Sequence, residues 1–327
     1  MKLKCLVALV VASFVLSVGA AEKIKVLLID GENNHNWRGT TPELKAILDN
    51  AGIFSVDVST TPQSPAPPRL AKDASAEQKA AHAKNMESYK AELAKFKEKQ
   101  KEIWHPKFKD YAVVVSNYNG NEWPEDVKKE FVDFMKNGGG LVSVHAADNS
   151  FSNWPEYNEM IGLGGWGGRS EKSGPYLKFQ EGKFVKDMTP GSGGTHGKQH
   201  EFLMEVRDAE HPIMKGLPVK WRHAKDELYA KLRGPANNLT VLASAFSDKT
   251  QGGTGLDEPL LMVISYEKGR VFHTALGHAP ETMQGVGFQV TLARGTEWAA
   301  TGNVTLPNPP AEDLPADHPV MREPVKK

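Results

Sequence analysis

The stretch GGGLVSVHAADNSF, residues 138–151, places a glycine-rich turn before a short apolar run that stops at His145. This order is typical of a buried strand in a parallel α/β sheet. In many α/β enzymes the tight turn after such a strand carries a serine or cysteine nucleophile. Here the position holds histidine, and Asp148 follows it. The stretch predicts an α/β fold and excludes acyl-enzyme or ammonia-transfer chemistry at this turn.

Apolar runs alternate with helix-like segments in the first half of the chain. The run KIKVLLID, residues 23–30, predicts a strand buried on both faces, and residues 53–59 predict a second strand. Between them, the residues TTPE at 40–43 predict the start of a helix. The pattern continues with strands at residues 111–116 and 141–145 and an amphipathic helix at 124–137. We therefore expect a doubly wound, mostly parallel sheet, with long loops and a ligand site at the carboxyl ends of its strands.

The second half of the chain combines shorter predicted elements with glycine-rich loops. Residues 151–197 contain GLGGWGGR and GSGGTHG, and loops of this length in a compact domain are usually functional. Because GLGGWGG follows no predicted strand and opens no helix, we expect no nucleotide cofactor. The remaining elements are predicted strands at 201–206, 241–246, 260–266 and 271–276, and predicted helices at 226–232 and 286–299.

Both ends of the chain predict segments outside the main domain. Residues 1–21 combine Lys2 and Lys4 with an apolar run and small residues, which is typical of a cleaved signal peptide. The only cysteine, Cys5, lies in this segment, so the exported chain would contain no disulfide or cysteine nucleophile. We expect a periplasmic or secreted protein that has no membrane association after cleavage. The α/β domain is predicted over residues 22–302, with a helical insertion at about 66–105, and a proline-rich tail over 303–327, on the surface or disordered.

The balance of charge limits the class of partner. The chain has 40 basic and 40 acidic residues, and no basic stripe is evident along it. Nucleic-acid binding needs a concentrated positive surface, so we expect no nucleic-acid partner. The sequence leaves the oligomeric state open.

Histidine residues collect where the predicted strands end. His35, His145 and His278 each follow a predicted strand, and Asp226 or Glu227 can supply a carboxylate. Three imidazoles and a carboxylate can hold a divalent metal such as zinc and leave a position for water. We predict a metal site formed by His35, His145, His278 and Asp226. Two other roles stay open for His145: a general base, or a histidine hydrogen-bonded within its loop.

Aromatic and polar residues in the same loops suggest a surface for a sugar ring. We predict substrate contacts from Trp37, Trp123, Trp166, Arg169, His35 and His200, because aromatic faces suit the C–H faces of sugars. The catalytic residues are predicted to be His145, Asp148 and Glu227. His196 and His200 have the i, i+4 spacing of a helical metal site, but the flanking glycines argue against a helix there.

Seven motifs taken together resemble the trehalose-utilisation, or ThuA-like, family. They are NHNW at 34–37, VHAADNSF at 144–151, GGWGGR at 164–169, HEF at 200–202, RDAEHPIMKGLP at 207–218, DELY at 226–229 and GRVFHTALGH at 269–278. The resemblance covers about residues 23–305 and implies a flavodoxin-like, glutamine amidotransferase-like fold without the cysteine nucleophile. It also implies a role in carbohydrate metabolism, often alongside sugar 3-dehydrogenases and keto-sugar processing. The polar residues that it points to are His35, His145, Asp148, Arg169, His200, Asp226, Glu227 and His278.

Several functions remain open from the sequence. The first is an exported enzyme, a hydrolase or isomerase acting on a glycoside or keto-sugar, and not a glutamine amidotransferase. The alternative is a carbohydrate-binding protein that uses the same pocket without catalysis. A third, hydrolysis by a different nucleophile, would need an activated hydroxyl such as that of Thr195 beside His196.

Overall fold

A computed structural model describes residues 22–326 of the chain. The predicted signal peptide at residues 1–21 lies outside the described residues. None of the helices within the described range is long and apolar enough to cross a membrane.

The described residues form thirteen strands and six α-helices. The strands are β1 Ile24–Asp30, β2 Phe54–Thr60, β3 Val113–Ser116, β4 Gly140–Val144, β5 Tyr176–Gln180, β6 Lys183–Asp187, β7 Thr195–His196, β8 His200–Val206, β9 Lys220–Asp226, β10 Tyr229–Ala230, β11 Leu239–Phe246, β12 Asp257–Tyr266 and β13 Gly269–Thr274. The helices are α1 Trp37–Asn50, α2 Ala76–Ile103, α3 Glu125–Lys136, α4 Pro155–Ile161, α5 Pro280–Met283 and α6 Val286–Thr301. The predicted α/β class is therefore confirmed.

Nine of these strands form one mixed sheet, in the order β2-β1-β3-β4-β13-β12-β11-β8-β9. The first five strands are parallel, and each pairing from β13 to β9 is antiparallel. Only β12 and β8 run opposite to the rest, so seven of the nine strands share one direction. Strands β1, β3 and β4 are mostly apolar and buried because both faces of the sheet are covered there.

The sheet curls so that its edge strand β9 returns towards β13. Four strand spacings would separate β9 from β13 by about 19 Å in a flat sheet. Instead, the Gly277 N–H, just after β13, donates a hydrogen bond of 2.8 Å to Asp226 Oδ2 at the end of β9. The curl therefore brings the end of the antiparallel half onto the ends of the parallel strands.

Two local predictions are wrong. The predicted helix at 226–232 is instead the end of β9 followed by β10, and β10 pairs with β7. Here tertiary contacts of the buried residues Asp226 and Tyr229 override the helix propensity of DELYAKL. Helix α1 begins at Trp37 rather than at residue 40, because the Asn36 side chain caps it by accepting from the Gly39 N–H.

The insertion and the tail lie outside the sheet. Ser75 and Gln78 form a capping box at the start of α2, and Gln100 is the one buried residue of this 28-residue helix. In the tail, Met321 bridges to Gly285, and Leu314 is buried against the domain. The segment after α6 is thus packed along the surface.

Candidate metal centre

His145 occupies a tight turn directly after β4. Its φ of 47° lies in the left-handed region, which is uncommon for a residue with a side chain. The Ala275 carbonyl lies 2.8 Å from Nδ1, and since a carbonyl only accepts, Nδ1 carries the proton. The neutral ring therefore presents the lone pair of Nε2, which lies 3.6 Å from Glu227 Oε2. The turn therefore aims Nε2, the nitrogen that a metal would use, at a carboxylate.

Three histidines and one glutamate meet at this point. His35, His145, Glu227 and His278 each offer one ligand atom, and these atoms all lie within 4.8 Å of one another. We call this group the histidine–glutamate cluster. The His35 ring centroid lies 4.9 Å from that of His145 and 4.5 Å from that of His278. The residues follow β1, β4, β9 and β13, so the curled sheet assembles the cluster from four strand ends.

Three buried polar atoms in the cluster lack hydrogen-bond partners among the described residues. They are His145 Nε2, Glu227 Oε2 and His278 Nδ1. His278 Nδ1 lies 3.1 Å from Glu227 Oε1 but without the angles of a hydrogen bond. Buried polar groups are nearly always satisfied, so convergent unsatisfied atoms need an explanation. Imidazole nitrogens and a carboxylate are the ligands that zinc and other first-row divalent metals accept.

The electrostatics of the cluster favour a charged glutamate. Burial alone would raise the pKa of Glu227, but contacts with His145 and His278 outweigh it and hold the pKa well below the usual range. Burial also opposes charge on His145, yet the carboxylates of Glu227 and Asp226 together raise its pKa. His35 differs, because desolvation and the neighbouring imidazoles lower its pKa to about 4. Near neutral pH the cluster therefore contains a carboxylate and an uncharged His35.

A second group of side chains surrounds the cluster. The Tyr229 ring lies 4.1 Å from the His145 ring, and its hydroxyl is 3.3 Å from His35 Nε2. Burial raises the pKa of Tyr229 far above 10, so its hydroxyl stays protonated. The half-buried Trp166 ring lies 4.7 Å from the Tyr229 ring. His196 Nε2 is 3.8 Å from Glu227 Oε1.

Gln199 contacts the outer side of His278. Its Nε2 lies 2.9 Å from His278 Nε2, and one of these two nitrogens must donate. If the amide is reversed, its oxygen accepts from Nε2–H and leaves the lone pair of Nδ1 free for a metal. Tyr229 and Gln199 were not predicted as site residues. Tyr229 belongs to the DELY motif and Gln199 lies between His196 and His200, but only the β7–β10 pairing brings these segments to the cluster.

Asp226, predicted as a metal ligand, lies outside the cluster, and Glu227 takes that place. Asp226 is fully buried, and its carboxylate accepts four hydrogen bonds from the protein. Asp148, predicted as catalytic, is also fully buried and lies 3.2 Å from His273 Nε2. Both carboxylates are therefore enclosed by protein atoms and do not face a substrate.

Two predicted sugar contacts are structural. Trp123 is only 2% exposed and packs among aromatic rings, so it presents no face to a ligand. Arg169 is 3% exposed, and its guanidinium donates to the carbonyls of Asn149, Gly165 and Ser150. These bonds tie the GGWGGR loop to the turn after β4.

The last two predicted contacts lie at accessible positions. His200 is half-buried, and its Nδ1 is 2.8 Å from the Lys198 carbonyl. Trp37 is half-buried, with the Arg38 guanidinium 4.2 Å from the centre of its ring. Neither residue belongs to the histidine–glutamate cluster.

Comparison with known proteins identifies the family. A family model described as ThuA, trehalose utilisation, matches residues 69–299. The crystal structure of a ThuA-like protein from Parabacteroides merdae is 44% identical, with a TM-score of 0.79 over 94% of this chain and 100% of that one. A ThuA-like protein from Bacteroides uniformis is 18% identical, with a TM-score of 0.53 over 90% of this chain and 97% of that one. No curated protein gives a significant match. The chain belongs to the ThuA family.

Proposed function

We propose that this chain is an exported, metal-dependent enzyme of carbohydrate metabolism that acts on a glycoside or keto-sugar. The observation that carries the proposal is the convergence of His145 Nε2, Glu227 Oε2 and His278 Nδ1 without hydrogen-bond partners. With His35, these residues would hold one divalent cation such as zinc. Such a cation polarises a sugar carbonyl or lowers the pKa of a bound water.

The rim of the cluster supports a sugar as the substrate. Trp166 offers a half-buried aromatic ring, and Asn34, His196 and Gln199 are exposed polar side chains beside the cluster. An aromatic face among hydrogen-bonding groups suits a ring that has apolar C–H faces and many hydroxyls. The family's description, trehalose utilisation, agrees with this substrate class.

Proton transfer is assigned to His196. Its Nδ1 lies 2.8 Å from the Gly197 carbonyl, which leaves Nε2 to take or give a proton. The side chain is 37% exposed and can reach a substrate. Tyr229 is buried and held protonated, so its hydroxyl would donate a hydrogen bond to His35 Nε2 and orient that ring. No acyl-enzyme step and no nucleotide cofactor are needed, and glutamine amidotransfer is not proposed.

The test is turnover of sugars by protein stripped of metal and then reloaded. Trehalose, other disaccharides and their keto derivatives would be incubated with the protein, and products analysed by mass spectrometry and chromatography. We expect turnover only with metal, abolished in His145→Ala and unchanged in His318→Ala, whose imidazole is exposed in the tail. Two product sugars would indicate a hydrolase, and a rearranged single sugar an isomerase.

Two other outcomes would contradict the enzyme proposal. Saturable sugar binding without product would establish the non-catalytic alternative, a carbohydrate-binding protein. Turnover that persists after metal removal and in His145→Ala would show that the reaction does not depend on the histidine–glutamate cluster.

A further inference from the structure

One buried carboxylate is hydrogen-bonded to both of the chain segments that carry Glu227 and His278. Asp226 Oδ1 accepts from the backbone N–H groups of Glu227, at 2.8 Å, and His278, at 3.1 Å. Asp226 Oδ2 accepts from the Gly277 N–H at 2.8 Å and lies 3.0 Å from His223 Nε2. Four donors use the hydrogen-bonding capacity of a carboxylate, so Asp226 has no lone pair left for a metal.

These bonds connect parts of the fold that the sheet order alone would keep apart. Glu227 follows β9 at the edge of the sheet, and His278 follows β13 near its middle. Asp226 joins the two segments directly at the cluster, and His223, three residues earlier on β9, fixes the carboxylate from the other side. The relative position of Glu227 and His278 therefore depends on this side chain.

We propose that Asp226 is a positioning residue that sets the geometry of Glu227 and His278 for metal binding. The inference rests on the proposed metal site. Residues that orient metal ligands raise affinity by holding the ligands in the bound arrangement before the ion arrives. Asp226 does so through backbone N–H groups rather than through the ligand rings.

The molecule contains a matched control in a second buried aspartate–histidine pair. Asp148 and His273 are both fully buried, with 3.2 Å between Oδ2 and Nε2. Asp148 Oδ1 has no hydrogen-bond partner among the described residues, and the Asp148 carboxylate accepts no bond from the backbone of a cluster residue. An asparagine at position 148 thus perturbs a buried pair of the same kind without touching the connection between Glu227 and His278.

The experiment compares metal binding by the wild-type protein, Asp226→Asn and Asp148→Asn. In Asp226→Asn, an amide NH₂ group replaces one carboxylate oxygen. A hydrogen-bond donor would then face the Gly277 N–H or His223, where the wild type has an acceptor. Zinc affinity would be measured by competition with a chromophoric chelator, and ligand geometry by the visible spectrum of bound Co²⁺. We expect Asp226→Asn to bind zinc about 10–100-fold more weakly and to change the Co²⁺ spectrum. Asp148→Asn should lower the melting temperature but leave the Co²⁺ spectrum unchanged, because Asp148 makes no hydrogen bond to the segments that carry Glu227 and His278.

A second variant covers the case in which Asp226→Asn does not fold. His223→Leu removes one of the four donors and keeps the three backbone bonds, so we expect a smaller loss of zinc affinity than in Asp226→Asn. Wild-type zinc affinity and an unchanged Co²⁺ spectrum in whichever variant folds would overturn the positioning role. A wild-type protein that binds neither zinc nor Co²⁺ would overturn the metal site itself. This result can be told apart from a failure of the positioning role, in which the wild type still binds metal.

Discussion

Two groups of residues near the carboxyl ends of the strands have opposite roles. The histidine–glutamate cluster brings together buried polar atoms that lack partners. The second group, which we call the aromatic cluster, consists of Trp104, Trp123, Phe131, Phe151 and Trp154, with Trp123 between 5.2 and 6.0 Å from each of the other rings. Both groups include residues that the sequence places at strand exits. The difference lies in convergence: Trp123 packs its ring into the core, whereas the unsatisfied atoms of the histidine–glutamate cluster all point at one place.

The largest expected effect is on stability, in the aromatic cluster. Trp123→Ala removes a buried ring and leaves a cavity, so we expect the free energy of unfolding to fall by about 3–5 kcal/mol. Urea denaturation would measure the loss. The folded fraction should keep its zinc affinity, because the Trp123 ring packs against other aromatic rings and not against the histidine–glutamate cluster. A small stability loss together with weaker sugar binding would instead place Trp123 in the ligand surface.

The next largest expected effect is a dependence of zinc affinity on pH, which arises in the histidine–glutamate cluster. Metal binding needs the deprotonated ring, and the pKa of His145 is raised in the metal-free protein, so protons compete for Nε2. Zinc affinity should therefore fall as the pH decreases, by about tenfold for each unit below the pKa of His145. His35, with a pKa of about 4, stays neutral and adds no proton competition between pH 5 and 7. Chelator competition between pH 5 and 8 checks this.

The control for the pH profile is Trp123→Ala, measured at a temperature where it is folded. Its zinc affinity should follow the same curve as the wild type. A zinc affinity that does not change with pH would contradict histidine ligation.

The smallest expected effect is on sugar affinity, and it distinguishes a tryptophan beside the histidine–glutamate cluster from one outside it. Trp166 is half-buried beside Tyr229, so Trp166→Ala should weaken sugar binding about fivefold, roughly 1 kcal/mol, with little loss of stability. Trp37→Ala is the control, because Trp37 is also half-buried but lies outside the histidine–glutamate cluster, with the Arg38 guanidinium over its ring. Calorimetric titration with the sugar substrate would compare them. Equal sugar affinity in the wild type and Trp166→Ala would show that Trp166 does not contact the substrate.

The parallel strands and the histidines that follow them could be predicted because their signal is local. Residues 23–30, 111–116 and 141–145 are apolar runs, and His35 and His145 come soon after two of them. The edge strand β9 was missed, since KWRHAKD contains five charged or histidine residues and reads as a surface segment. Its buried Asp226 accepts from His223, from the adjacent Glu227 N–H and from the distant N–H groups of Gly277 and His278.

The choice between Asp226 and Glu227 could not be made from the sequence. The two carboxylates are adjacent, and only the curl of the sheet turns Asp226 towards backbone N–H groups and Glu227 towards the imidazoles. Likewise, Trp123 and Trp166 both lie in glycine-containing or polar loops, and tertiary packing alone decides which ring is buried. The doubly wound arrangement of helices, the metal and the sugar remain predictions.

The most direct test of the central claim is the metal content of the chain from residue 22 onward, purified without a histidine tag. Elemental analysis would be made on the wild type, His145→Ala and His318→Ala after incubation with zinc and dialysis. We expect close to one divalent metal ion per chain in the wild type and His318→Ala, and its loss in His145→Ala. A metal-free wild type, or a His145→Ala variant that retains the full metal content, would contradict it.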